Sequence, residues 1–174
     1  MPAPRFTEQL NLQIGNELAA HNQYLAVAVH YDALTMPRMA AFFYRQALEE
    51  RDHAMMMIQY LLDTDADVVI PAVEGAVSTF DDVVAPIRLA LDQEQRVTDQ
   101  ISTLVRIARE ENDFASEQFM QWFIKEQVEE IATMSDLLAV ATRNADDIED
   151  IEEYVAREHA ELEDDPTAPR VAGA

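Results

Sequence analysis

The run Glu49-Glu50-Arg51-Asp52-His53 puts two glutamates and an imidazole within five residues. On a helix of 3.6 residues per turn, Glu50 and His53 are i,i+3 and Glu49 and His53 are i,i+4, so the three side chains share one arc. Carboxylate oxygens and an imidazole nitrogen on one face suit a divalent first-row metal ion. Glu-x-x-His alone is a weak signal. Its setting adds weight, because the arc falls on the apolar stripe Met39, Phe43, Gln46, Glu50, His53, Met57, Tyr60, where core side chains belong.

Three other segments show the same interruption. Residues 6–34 carry the stripe Leu10, Ile14, Glu17, His21, Tyr24, Ala28, Tyr31, widened by Leu18 and Leu25. Residues 82–111 carry Ile87, Leu91, Glu94, Val97, Ile101, Val105, Ala108, and residues 114–142 carry Met120, Phe123, Gln127, Glu130, Met134, Leu137, Ala141. Each polar intrusion lies near the midpoint of its segment. A midpoint keeps its depth whichever way the helix runs, so Glu17, Glu50, His53, Glu94, Gln127 and Glu130 converge on one layer of any four-helix bundle. Buried carboxylates without partners cost several kcal/mol each and raise one another's pKa. No Lys or Arg stands in the stripes, which leaves shared protons or bound cations. Five oxygen-bearing side chains and one imidazole suit a pair of metal ions, with Glu50 placed to bridge. Glu49, Glu126 and Glu129 flank this set and read either as a third cation site or as an ordinary acidic face.

The elements that must hold these residues follow from punctuation. Pro37 opens a second helix over 37–63, Pro86 falls in the first turn of the third, and Asn112-Asp113 is a short joint with a capping residue. Residues 64–81 lack helical periodicity and contain Pro71 and Gly75. Extended, they span up to about 60 Å, against about 42 Å for a 28-residue helix. The connection can therefore run the length of a bundle, making helices two and three parallel. A shorter fifth helix is expected over 147–162. The fold expected is all-α: one domain over 1–163, a four-helix bundle with a long crossover and a short fifth helix, then a disordered tail over 164–174.

Composition narrows the function. Twelve basic against 34 acidic residues give a net charge of −22, which argues against direct nucleic-acid binding. The absence of cysteine excludes disulfides and thiolate metal sites. No apolar run reaches the ~18–20 residues of a membrane span, and the first residues lack a secretory pattern. A soluble cytoplasmic protein is expected.

On Asn16-Glu17 with Tyr24, Glu49-Glu50-Arg51-Asp52-His53-Ala54, Asp92-Gln93-Glu94 and Glu126-Gln127-Val128-Glu129-Glu130, the chain resembles the non-haem bacterial ferritins over about residues 5–160. The resemblance implies a ferroxidase: Glu17, Glu50 and His53 hold one iron, and Glu50 bridges to a second iron held by Glu94 and Glu130, with Gln127 beside it. Glu49, Glu126, Glu129 and Glu130 match a third iron site. Tyr24 matches a tyrosine near the irons, or is a core aromatic with a satisfied hydroxyl, and Trp122 matches a neighbouring aromatic or packs in the core. The implied chemistry is oxidation of Fe(II) by dioxygen, with the ferric mineral kept in a hollow cage of about 24 subunits. Two departures bear on haem. Bacterioferritins repeat Glu-x-x-His on the fourth helix, where this chain has Gln127 and Glu130, and they carry a haem-ligating methionine where this chain has Arg51, so no haem is expected. His21 stands where a small residue is usual and either tunes the metal site or packs in the core. The competing readings are a di-iron oxidase or peroxidase of the rubrerythrin or bacterioferritin type, a miniferritin, and an acidic metal-binding bundle without catalysis.

Overall fold

The computed structural model describes residues 1–159 and 165–173, which form five helices and, among those residues, no strand: α1 Pro4–Ala33, α2 Pro37–Asp63, α3 Ala85–Glu110, α4 Phe114–Arg143 and α5 Ile148–Glu158. A proline stands in the first turn of α1, α2 and α3, where a missing N–H costs nothing. Asp113 and Asp147 cap α4 and α5 by accepting backbone N–H groups. α1, α2 and α3 each stop at a residue in the left-handed region: Thr35, Asp65 and Asn112. α3 begins three residues later than the periodicity suggests, because Asp82 Oδ1 accepts from the N–H groups of Val84 and Ala85 and holds the preceding turn apart. α5 ends at Glu158, four residues short of the expected 162, and residues 160–164 lie outside the described chain.

α1 and α2 are antiparallel: Phe6 packs on Tyr60 at one end and Tyr24 on Phe43 towards the other. α3 and α4 are antiparallel too, with Arg109 paired to Glu117 and Glu94 to Gln127. The crossover between α2 and α3 climbs along α1. Asn11 bonds the carbonyl of Asp67 and the N–H of Val69, Gln23 bonds both backbone groups of Val77, and the Tyr31 hydroxyl donates to the Val83 carbonyl at 2.7 Å. α3 therefore starts at the end of the bundle where α2 starts, and the two run parallel.

Two apolar clusters fill the bundle, one at each end. One is built around Tyr24, Tyr31, Met39, Phe43, Ile87 and Leu137, the other around Phe6, Leu10, Ile14, Leu61, Ile101 and Phe123. The gap between them is polar. Leu18 packs against the second cluster, whereas Leu25, expected to widen the α1 stripe, is exposed because it lies on the flank facing away from the other helices.

α5 buries Ile151 and Val155, and its Glu152 accepts the N–H groups of Arg38 and Met39, capping α2 in place of a local residue. Residues 165–173, for which composition suggests a disordered tail, lie against α2 and α4. Asp165 accepts from Trp122 and Lys125, Ala168 and Val171 pack on the second cluster, and the Ala172 N–H donates to the Met55 carbonyl. No described helix is long and apolar enough to cross a membrane.

Gly15 marks where α1 and the crossover touch. A Cβ there would stand 2.5 Å from Pro71 Cγ. Gly15→Val is expected to push the crossover off α1 and cost about 1–3 kcal/mol, read as a lower denaturation midpoint with faster proteolysis between residues 64 and 84.

Candidate metal centre

Glu17 comes from the middle of α1, Glu50 and His53 from α2, Glu94 from α3, and Gln127 and Glu130 from α4. All six are buried in the gap between the apolar clusters. One ligand atom each of Glu17, Glu50 and His53 come within 4.8 Å of one another, the one such set of His, Cys, Asp or Glu among the described residues. That spacing approaches what a single ion with bonds of about 2.0–2.2 Å requires. Glu17 Oε1 accepts from Gln13 Nε2 at 2.9 Å. Glu17 Oε2 and Glu50 Oε2 are buried without a hydrogen-bond partner, and the 3.5 Å from Glu50 Oε2 to His53 Nδ1 is too long to satisfy either atom well. Two orphaned carboxylate oxygens beside an imidazole are what a cation would complete.

Glu94 is held differently. The Tyr24 hydroxyl donates to Glu94 Oε1, and Gln127 Nε2 donates to Glu94 Oε2 at 3.0 Å. Tyr24 is therefore both a core aromatic and an orienting donor. Glu130 lies farther out, 3.5 Å from the Gln46 amide. Burial first, then the charge of a neighbouring carboxylate, raises the pKa of Glu17, Glu50 and Glu130 well above the ordinary 4.5. Burial raises Glu94 to about 7, although the Tyr24 and Gln127 donors favour its ionised form. Burial and the charge of Glu94 push the Tyr24 phenol well up, so it keeps the proton it donates.

Beyond His53 the layer opens into a cavity of about 310 Å³, lined by Glu49, Asp52, Glu126, Glu130, Arg45 and Trp122 among others. Of the four glutamates in the candidate third site, Glu49, Glu126 and Glu130 face this space. Glu129 does not line it: it is exposed, and its carboxylate lies 3.7 Å from Lys125, its neighbour one turn earlier on α4. Trp122 sits edge-on to the His53 ring with centroids 5.6 Å apart, and its Nε1 donates to Asp165. His21 is half-buried. Its Nδ1 lies 2.6 Å from the Ala47 carbonyl, which ties α1 to α2 one turn from Glu17.

Sequence reasoning passed over Gln13, which orients Glu17 and is recognisable in retrospect as a fully buried amide at i−4. It also passed over Arg45, which flanks the α2 stripe and enters the cavity wall, and Asp165, whose role depends on how the distant C-terminal stretch folds back.

Four long helices with one crossover and a carboxylate and histidine layer at the waist define a ferritin-like bundle, and the chain belongs to the ferritin-like domain family, whose model matches residues 7–144. It is 49% identical over 169 residues to ferritin BfrB of Mycolicibacterium smegmatis, covering 97% of this chain and 93% of that protein. It is 35% identical over 147 residues to a bacterial non-heme ferritin of Staphylococcus aureus, covering 84% and 89% of the two chains. An open pore ferritin from the archaeon Archaeoglobus fulgidus superposes with a TM-score of 0.87 at 29% identity, covering 92% of this chain and 99% of that one.

The raised carboxyl values set a direction for pH dependence. These groups bind protons more tightly folded than unfolded, so their contribution to stability is fully present below about pH 4.5 and is lost as pH rises through each folded-state pKa, about 7 for Glu94. The metal-free protein is expected to lose about 1.4 kcal/mol per pH unit for each extra proton held. Thermal unfolding should show a lower midpoint at pH 7.5 than at pH 5.5, a smaller difference in Glu50→Gln, and recovery at pH 7.5 on adding Zn²⁺.

Proposed function

We propose that this protein stores and detoxifies iron as a cytoplasmic ferroxidase, oxidising Fe(II) with dioxygen at a paired carboxylate centre and keeping the ferric oxyhydroxide inside a cage of about 24 copies. The observation that carries the reading is the buried triad of Glu17, Glu50 and His53 with two carboxylate oxygens left unsatisfied. Family membership supports it.

Glu17 and His53 hold one iron, and Glu50 reaches between it and a second iron held by Glu94 and Glu130, with Gln127 beside it. Tyr24 and Gln127 aim Glu94 through their hydrogen bonds, and Gln13 aims Glu17. The buried carboxyls carry protons when no metal is bound and release them as Fe(II) arrives, so the positive charge brought in is offset within the dry layer. Two Fe(II) would each give one electron to a single dioxygen, which takes up two protons and leaves as hydrogen peroxide, and the more highly charged Fe(III) would be better stabilised by the surrounding carboxylates. Glu49, Glu126 and Glu130 supply a further cation position in the cavity outside His53. Assembly into a shell is supported by exposed apolar side chains: Leu25 and Val29 of α1, and Val69, Ile70 and Val77 of the crossover. A lone subunit would leave these in water.

Anaerobic protein mixed with Fe(II) and then oxygen is expected to consume dioxygen and form ferric product rapidly. Glu50→Ala and His53→Ala should slow that phase by at least about tenfold, since each removes a metal ligand. Variants that oxidise iron as fast as the parent would refute the site. His21→Ala, which loses only a tie to the Ala47 carbonyl, should leave the rate within about twofold. Sedimentation of the purified protein should give a particle of about 24 subunits, and a monomer or dimer would remove the cage from the proposal.

A further inference from the structure

The cavity outside His53 contains a positive charge for which the ferroxidase reading has no use. Arg45 lies one turn before Glu49 on α2 and lines the same cavity as Glu49, Glu126 and Glu130. Its Nη2 donates to the His159 carbonyl, just past the end of α5, at 2.6 Å. The other nearby cation, Lys125, does not line the cavity: its Nζ is 3.3 Å from the Asp165 carboxylate and 3.7 Å from that of Glu129, and its charge reaches Glu126 only from outside. Among the described residues, the partner of the Arg45 guanidinium is the neutral His159 carbonyl, and Arg45 Nε is buried without one. Arg45 thus borders the acid-lined space with its guanidinium anchored at His159, and the nearest glutamate along its own helix, Glu49, feels its charge.

A guanidinium cannot give up its proton, and a unit positive charge in a half-buried wall opposes a divalent ion much more strongly than it would in bulk water. Three glutamates with no such neighbour would hold a divalent cation firmly. With the neighbour present, the same glutamates attract the ion and then retain it poorly. We propose that Arg45 is the built-in counter-charge of the outer cavity, keeping a divalent cation there loosely held so that it passes between solvent and the buried triad instead of lodging. The inference rests on reading the buried layer as a metal centre. It adds a specificity-setting residue outside the ligand set, and it ties that residue's position to the docking of α5 through His159.

The test is Zn²⁺ titration calorimetry on the full-length assembled protein, comparing the parent with Arg45→Gln, Arg45→Lys and Glu126→Gln. Glutamine removes the charge yet can still donate to the His159 carbonyl, whereas lysine keeps the charge and loses the planar fork. Glu126→Gln identifies the outer class of sites by weakening it. Arg45→Gln is expected to bind Zn²⁺ in the outer class about tenfold more tightly, or to show an outer class that the parent lacks, with the inner class unchanged and Arg45→Lys close to the parent. An outer affinity unchanged in Arg45→Gln, or raised equally in Arg45→Lys, would overturn the proposal while leaving the metal centre standing. No Zn²⁺ binding to any of the proteins would remove both.

Discussion

Carboxylates packed into one dry layer repel one another and lose their hydration, and the rest of this bundle is arranged around that cost. Glu17, Glu50, Glu94 and Glu130 lie between two apolar clusters that keep water out. The low dielectric strengthens every interaction inside it. It makes four ionised glutamates untenable on their own, and it makes the same four a strong trap for cations. Protons meet the first condition, and a cation bound in their place would meet the second with little change in net charge.

The amides around the layer keep that exchange orderly. Gln13 holds one oxygen of Glu17 and Gln127 one oxygen of Glu94, while the Tyr24 hydroxyl holds the other oxygen of Glu94. Each donor fixes a carboxylate without adding a formal charge, and each leaves the ionised form usable by a metal. Had these partners been arginines, the layer would be a set of ion pairs with no need of anything further. Along the way out, His53 and Glu130 border both the buried layer and the outer cavity, where Arg45 first appears, with Lys125 beyond it on Asp165. Positive side chains are thus kept to the rim and excluded from the centre.

The framework holds four helix midpoints at one height, and small contacts do much of the alignment. The crossover is held to α1 at Asn11, Gly15, Gln23 and Tyr31, which forces α3 to begin beside the start of α2. Glu152 on α5 serves as the missing cap of α2, so the short helix also sets where the helix carrying Glu50 and His53 begins. Ordinary backbone satisfaction, repeated at several points, is what brings Glu50 level with Glu17.

The existence and order of the helices, the long crossover and the polar residues of the waist were legible in the sequence, because they follow from a 3.6-residue period, proline positions and the depth of a midpoint, none of which depends on how helices are paired. The start of α3 was not, because Asp82 holds the preceding turn. The depth argument could not say which carboxylates approach within ligand distance. That depends on rotamers chosen by neighbours: Tyr24 and Gln127 draw Glu94 away from the close triad, and the turn of α4 sends Glu129 to Lys125 and out of the cavity. Nor could composition foresee that residues 165–173 lie against the bundle, since a short stretch with two prolines and few apolar side chains is placed only by partners such as Trp122 and Lys125, far away in the chain. Local periodicity determined which residues this chain buries, and only long-range packing decided which of them touch.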